Sequence, residues 1–301
     1  MVRCHWQVEQ GLSAYVGPGN LAAHKDSEVR HAYCAAEVTG PKDLLQAVFT
    51  LPGQYTSKLD QIKDTGVILA SHAAPDWKGK ILTELAVVLA SQGYVVLRFC
   101  CKQGQHAHQR LFERALEVCA TSPYAQGVRR WLFAGHGRGA QVAALCSAQC
   151  HRPVVGLVLL SYPLVQEESM DLSPVTTGAT PESAEDVLMG IQQPVLLVMG
   201  DADELCRPDA MQACAARMTA AADVRLLVVQ DSDHNFKTAQ GRGPAIATVR
   251  QVAELIVEFV AAVENNTLQS SQLPRANQQQ PHECTQPAAA STHSAPLGGQ
   301  I

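Results

Sequence analysis

The chain lacks the features that mark nucleic-acid-binding and membrane-spanning proteins. It has no run of basic residues, and 23 Lys and Arg stand against 28 Asp and Glu, a formal net charge of −5, so it offers no electrostatic footprint for phosphate backbones. Its longest apolar stretch, Val154 to Val165, is interrupted by Ser161, Tyr162 and Pro163 and is shorter than the about 20 residues that a membrane-spanning helix needs. We therefore expect neither nucleic acid nor membrane as a partner.

Cysteine is also scarce, and no secretory signal is visible. Ten cysteines in 301 residues are too few for a small disulfide scaffold. The first ten residues, MVRCHWQVEQ, lack the apolar run of a signal peptide. The sequence thus predicts a cytoplasmic or nuclear protein whose thiols are free. Hydrophobic residues make up 47% of the chain, which is enough for a large core.

The composition changes sharply near residue 265. The segment 265–301 has no aromatic residue and only two charged ones, Arg275 and Glu283. Gln, Ser, Pro and Ala dominate it, and such a segment buries too little apolar surface to offset its ordering entropy. We therefore predict a disordered tail over 265–301 and one folded domain over 31–264. Residues 1–30 show no clear period and are left unassigned.

Apolar runs alternate with helical patterns through this domain. Continuously apolar strands separated by helices are typical of a mostly parallel sheet covered on both faces, a doubly wound α/β fold. Two segments at its start, 32–40 and 44–52, resemble an antiparallel pair. Segment 166–190 has few apolar anchors and is predicted to be a small lid or loop, so the cap is small or absent. The further strands are predicted over 65–73, 94–100, 131–135, 154–162, 194–200 and 224–229, with helices between them and over 207–221 and 245–263.

Chemically useful residues follow three of these strands. The segment WLFAGHGRGAQVAALC runs from a strand through a tight turn into a helix and carries Gly137 in the turn. In PVLLVMGDADELC, Asp203 lies just beyond the strand, and in LLVVQDSDHNF His234 lies just beyond the next one. Ligands of doubly wound sheets bind at the carboxyl ends of the strands. The order of turn, acid and histidine is the catalytic order of α/β hydrolases, whose turn reads G-x-S-x-G.

The chain resembles the α/β-hydrolase superfamily. More narrowly, it is similar to the dienelactone-hydrolase-like group that includes testis-expressed protein thirty and the hydrolase-like domain of a regulatory subunit of the NSL histone-acetyltransferase complex. The resemblance rests on GVILASHAAPDWKG, GYVVLRFCCK, GHGRGA, LVLLSYPL and PVLLVMGDADELC followed by DSDHNF, over residues 65–237. It implies an α/β-hydrolase-like domain, with Asp203 and His234 as the acid and the histidine of a triad.

One departure from this pattern decides the functional expectation. Gly137 stands where the family has its nucleophilic serine, and no G-x-S-x-G occurs elsewhere. A glycine cannot attack a carbonyl, so Asp203 and His234 are expected to be vestigial triad partners. The loop that would supply an oxyanion N–H reads His72-Ala73-Ala74, which assigns that role to Ala73. His136 and Arg138, on either side of Gly137, are candidate ligand contacts.

Metal and cofactor sites are not predicted. The segment Cys146-x-x-x-Cys150-His151 has no second Cys or His pair at zinc-site spacing, and GHGRG lacks the G-K-[ST] ending of a phosphate loop. Ser71, Ser161, Cys100 and Cys101 lie near strand ends, but none follows an elbow pattern. We therefore expect packing or loop roles for these four side chains.

Two functions follow from these residues. The first is a hydrolase-like binding or scaffold module without serine catalysis, which binds protein partners or a small acyl or anionic ligand. The second is an active hydrolase of ester or acyl substrates, in which His234, oriented by Asp203, acts as general base on water. Retention of the acid and the histidine motivates the second hypothesis, and loss of the serine motivates the first.

Overall fold

The structure is a computed structural model. It describes residues 4–9, 30–37, 44–52, 63–71, 80–100, 107–149, 154–164, 183–238 and 246–265. The predicted tail from residue 266 onward, most of the predicted lid and the loop containing Ala73 lie outside these residues.

One nine-stranded sheet organises the described residues, in the order β1-β2-β3-β5-β4-β6-β7-β8-β9. The pairs from β1 to β5 along this order are antiparallel, and the pairs from β5 to β9 are parallel. The mostly parallel α/β sheet predicted from the apolar runs is confirmed. The strands are β1 (Cys4–Glu9), β2 (Arg30–Glu37), β3 (Leu44–Leu51), β4 (Thr65–Ser71), β5 (Val95–Cys100), β6 (Arg130–His136), β7 (Val154–Leu160), β8 (Val195–Gly200) and β9 (Val224–Val229).

In the described part of the chain, five helices stand between strands and a sixth follows β9, and together they cover both faces of the sheet. Alternate residues of a strand point to opposite faces, so in β4 Ile68 packs with α2 and α3 whereas Val67 packs with α1 and α6. This is the doubly wound arrangement that the sequence predicted. The helices are α1 (Lys80–Ser91), α2 (Ala107–Thr121), α3 (Arg138–Gln149), α4 (Ala184–Met189), α5 (Pro208–Arg217) and α6 (Ile246–Glu264).

Helix α1 ends at Ser91, and Gly93 reverses the chain just beyond it. This glycine has a φ of 93°, the left-handed conformation that glycine adopts without steric cost. Its N–H donates to Ala90 O, and the N–H of Tyr94 donates to Leu89 O. These two bonds form a Schellman motif and turn the chain directly into β5.

Several elements differ from the sequence expectations. Strand β1 lies in the segment 1–30 that showed no period, and it pairs with β2 along six residues. Helix α4 lies in the segment 166–190 that was predicted as lid or loop. Helix α5 ends at Arg217, four residues earlier than predicted, and β7 ends at Leu160 rather than residue 162 because Ser161 leaves the strand with a φ of 46°.

Two further observations bear on the expectations from composition. Among the helices that the structure describes, none combines the length and the hydropathy needed to cross a bilayer. The described cysteines outside any disulfide are all buried: Cys119, Cys146, Cys206 and Cys214.

Candidate functional site

The carboxyl ends of β6, β8 and β9 carry the three residues that the sequence singled out. Strand β6 leads through Gly137 into α3, Asp203 follows β8, and His234 follows β9. Because these strands run in parallel within one sheet, their carboxyl ends lie at the same edge. The fold therefore brings Gly137, Asp203 and His234 to one place.

The turn between β6 and α3 is held by two close backbone contacts. A Cβ on Gly135 would overlap the carbonyl of Gly139, and a Cβ on Gly139 would overlap the carbonyl of Ala70 in β4. Any larger residue at either position would force α3 away from the sheet. The first and third glycines of GHGRG are therefore packing residues that set the position of the turn.

Gly137 occupies the tip of this turn. Its φ is +56°, a conformation that a residue with a Cβ adopts only at a cost in free energy. Its N–H donates to Leu160 O at 2.9 Å, and its carbonyl accepts the N–H of Ala140 at 3.0 Å. A Cβ built on Gly137 would lie 3.1 Å from His234 Nε2, so the imidazole faces the position that a side chain would occupy.

Asp203 and His234 form a largely buried acid–histidine pair. His234 Nδ1 lies 3.0 Å from Asp203 Oδ1 and 3.1 Å from Oδ2. The Asp203 side chain is fully buried, and that of His234 is 13% exposed. The N–H of Leu205 also donates to Asp203 Oδ1 at 2.9 Å. With Nδ1–H directed at the carboxylate, a neutral His234 carries its lone pair on Nε2.

The contact with Asp203 affects the pKa of His234. Burial of the imidazole lowers the pKa of His234, but the hydrogen bond and the charge of Asp203 oppose it, together with the more remote charges of Glu204 and Asp233. The net result is a pKa raised above the ordinary value of histidine. The carboxylate thus stabilises the imidazolium, as it does in a functioning acid–histidine pair.

A second aspartate ties the acid loop to the histidine loop. Asp201 Oδ1 accepts the N–H of Ser232 at 3.1 Å, and the N–H of Ala202 donates to Ser232 O at 2.9 Å. A Cβ on Gly200 would overlap the Ser232 carbonyl, so the two loops meet backbone to backbone. The distance between Asp203 and His234 is therefore set by the backbone as well as by their own side chains.

Comparison with known proteins agrees with this arrangement. The family model described as "Alpha/beta hydrolase domain" matches residues 63–261. The chain belongs to the α/β-hydrolase family.

Solved structures similar to this α/β-hydrolase domain include several esterases. Est1E from Butyrivibrio proteoclasticus is 14% identical, with a TM-score of 0.58, over 77% of this chain and 99% of that chain. An esterase from Pyrococcus furiosus, Pf2001, is 16% identical, with a TM-score of 0.53, over 78% and 92%. The esterase domain of a Rhodothermus marinus protein is 16% identical, with a TM-score of 0.54, over 78% and 98%. At these identities the likeness establishes the shared fold.

His136 has a specific place in this α/β-hydrolase domain. Its Nε2–H donates to the backbone carbonyl of His234 at 3.0 Å. Its ring centroid lies 5.4 Å from that of His234 and 6.1 Å from that of Phe236. The side chain predicted as a ligand contact thus contacts the histidine loop. Arg138 is the first residue of α3 and is half-buried, and Ala73 lies outside the described residues.

Ser161, for which the sequence predicted a packing or loop role, lies next to the turn at Gly137. It follows β7 directly after Leu160, whose carbonyl accepts the N–H of Gly137. Ser161 is fully buried, has a φ of 46°, and its Oγ has no hydrogen-bond partner in the part of the chain that the structure describes. Nothing in LVLLSYPL signals this conformation, because it arises where the chain leaves the sheet.

Metal binding finds no support in the described residues. They contain no group of three or more His, Cys, Asp and Glu side chains that could hold a metal ion. Asp231 and Asp233, which stand next to His234 in sequence, belong to the loop itself: Asp233 Oδ1 accepts the N–H groups of Asn235 and Lys237, both at 2.8 Å. Asp231 has a φ of 55° and lies in the turn after β9.

Proposed function

We propose that this α/β-hydrolase domain lacks serine-hydrolase catalysis and acts as a binding or scaffold module. The observation that carries the proposal is the position of Gly137, whose missing side chain would face His234 Nε2 at 3.1 Å. A serine triad requires a hydroxyl at that place, because the imidazole takes its proton while the oxygen attacks the acyl carbon. Glycine supplies neither the proton nor the oxygen.

The surroundings of His234 support this reading. In the part of the chain that the structure describes, no side chain hydrogen-bonds His234 Nε2; the bonds of its ring go to Asp203 through Nδ1. Ser161 follows Leu160, whose carbonyl accepts the N–H of Gly137, but it is fully buried and its Oγ makes no hydrogen bond to the imidazole.

The ligand of such a module follows from the chemistry of the site. The imidazole with its raised pKa and the first turn of α3, whose backbone N–H groups point towards the turn, favour an acyl or anionic group. The similarity to the dienelactone-hydrolase-like group, which includes a domain of a histone-acetyltransferase complex, supports a protein partner by analogy of fold. We propose that the site binds a small acyl or anionic group, either free or carried by a protein.

One observation favours a second function, hydrolysis of ester or acyl substrates with water as the nucleophile. Nδ1 of His234 lies within hydrogen-bond distance of both carboxylate oxygens of Asp203, at 3.0 and 3.1 Å. A water molecule held beside Nε2 would lose its proton to the imidazole as it attacks. This activity would depend on His234 and would pass through no acylated serine.

A paired assay separates the two functions. Wild type, Gly137→Ser and His234→Ala are compared for turnover of acyl esters and for labelling by a fluorophosphonate that reacts with activated serines. Gly127→Ser is the matched control, because a Cβ on Gly127 meets nothing within 4 Å. The binding-module proposal predicts that only Gly137→Ser is labelled. Wild-type turnover of alkyl esters that His234→Ala abolishes would overturn it in favour of the second function, and fluorophosphonate labelling of wild type would overturn both.

A further inference from the structure

Nε2 of His234 is the ring atom nearest to the turn at Gly137. The Cβ position of Gly137 lies 3.1 Å from Nε2 and 3.8 Å from Cε1. Nδ1 donates to Asp203, so the lone pair of the neutral ring is on Nε2. In a serine hydrolase the hydroxyl stands between this lone pair and the substrate, whereas here no side-chain atom belongs to residue 137.

A neutral imidazole with its lone pair on Nε2 is itself a nucleophile towards acyl groups. We infer that His234 accepts an acyl group at Nε2 from aryl esters and thioesters. The inference rests on the proposed absence of a nucleophile at Gly137 and adds to it a chemical activity and a substrate class. The side chain of His234 is partly exposed, at 13%, so the ring has a solvent-facing edge.

The reaction balances without a further reagent. The Nε2 lone pair forms a bond to the acyl carbon, and the bond from that carbon to the aryl oxide or thiolate breaks, so the leaving group departs with the electron pair. Nδ1 keeps its proton, which makes the product an acylimidazolium next to the carboxylate of Asp203. Water then adds to the acyl carbon, the carbon–nitrogen bond breaks towards Nε2, and the carboxylate leaves with two protons released to solvent.

The substrate class follows from how the first adduct breaks down. Imidazole is expelled from a tetrahedral adduct more readily than an alkoxide or an amide anion, so alkyl esters and amides would return to starting material. Thiolates and aryl oxides of low basicity, such as p-nitrophenoxide, compete with imidazole as leaving groups, so the acyl groups of thioesters and of activated aryl esters are transferred. The fully buried carboxylate of Asp203 stabilises the positive charge of the acylimidazolium and thereby favours formation of this intermediate.

The test uses p-nitrophenyl acetate with the full chain, a rapid quench and mass mapping of the acetylated residue. We expect one acetyl group on His234 of wild type that hydroxylamine removes at neutral pH, and none on His234→Gln. Asp203→Asn should slow acetylation about tenfold, the loss expected for one charge-assisted hydrogen bond. Asp209→Asn, a change at an exposed carboxylate in the first turn of α5, should leave the rate unchanged.

Gly137→Ser serves as the second arm. It should move the acetyl group from His234 to Ser at position 137, where the ester resists hydroxylamine at neutral pH. The inference is overturned if wild type carries no acetyl group although Gly137→Ser does, if the group maps to His136, or if wild type reacts no faster than free imidazole at the same concentration. Turnover of wild type without any adduct also overturns it and supports general-base catalysis instead. Failure of the proposed function is separate, since that requires labelling of a serine in wild type or turnover of alkyl esters that depends on His234.

Discussion

His136 donates a hydrogen bond from Nε2 to the backbone carbonyl of His234, 3.0 Å away, although 98 positions separate the two residues. The contact joins the turn after β6 to the loop after β9. One of the two residues next to Gly137 therefore holds the backbone of the histidine that faces Gly137. The position of the imidazole depends on this bond as well as on Asp203.

Replacing the donor tests this relationship. His136→Phe keeps a ring of similar size but removes the N–H, which leaves a part-buried carbonyl without its partner. We expect the free energy of unfolding to fall by about 1 kcal/mol, measured by urea denaturation, and the NMR line of His234 to broaden. Equal stability of the variant and wild type, with an unchanged His234 signal, would show that the bond holds nothing in place.

A side chain at position 137 should destabilise the domain. Gly137 has a φ of +56°, and an added Cβ would lie 3.1 Å from His234 Nε2. Gly137→Ala is therefore expected to lose about 1–3 kcal/mol from backbone conformation alone, seen as a lower melting temperature. Gly127→Ala is the control, with open space around its Cβ. A melting temperature of Gly137→Ala equal to that of the control would contradict the strained turn.

The pair of His234 and Asp203 should make stability depend on pH with a defined sign. The pKa of His234 is raised in the folded protein, so protonation favours the folded state over the unfolded one. The stabilisation is fully present below the unfolded pKa of about 6.5 and is lost as the pH rises through the higher folded value. The difference in unfolding free energy between wild type and His234→Gln should therefore shrink as the pH rises. In an Asp203→Asn background this shrinkage should disappear; a difference that grows with pH in wild type would refute the assignment.

Ser161 should be replaceable with a gain in stability. Its φ of 46° costs a residue with a side chain about 1–3 kcal/mol, and its buried Oγ lacks a partner among the described residues. Ser161→Gly relieves both features, at an entropic cost of about 0.5–1 kcal/mol, so a net gain of about 1 kcal/mol is expected. Ser161→Ala removes the hydroxyl but keeps the strained backbone, and should gain less. If both variants lose stability, the Ser161 hydroxyl has a bonding role of its own.

Much of the fold could be predicted because the apolar pattern determines it locally. Strand β9 was predicted with its observed bounds, and β3 to β8 within two residues, since continuous apolar runs mark buried strands. Strand β1 could not be predicted: CHWQVE is short and has no period, and its register comes from pairing with β2. Helix α4 did carry a signal, because Ser183 accepts the N–H of Asp186 as its N-cap, a pattern readable as Ser followed three residues later by an acid.

The candidate site shows the same division between local and tertiary causes. Gly137, Asp203 and His234 could be named from the sequence because each follows an apolar run, and parallel strands end at one edge. The contact of His136 with the His234 carbonyl and the strain at Ser161 depend on how neighbouring strands and loops meet, which no local pattern encodes. Whether His136 and Arg138 bind a ligand stays a prediction, as does the role of Ala73.

The glycines at 135 and 139 make this domain a convenient scaffold for enzyme design. They let the backbone of α3 approach β4 and β6 closely, so the position of the turn is set by residues on either side of residue 137. A serine or cysteine introduced there by one codon change would stand beside an aligned acid and histidine, although it would also bear the strain of a φ of +56° and require a small shift of the imidazole. Conversely, one codon change from serine to glycine at this position would suffice to inactivate an active ancestor.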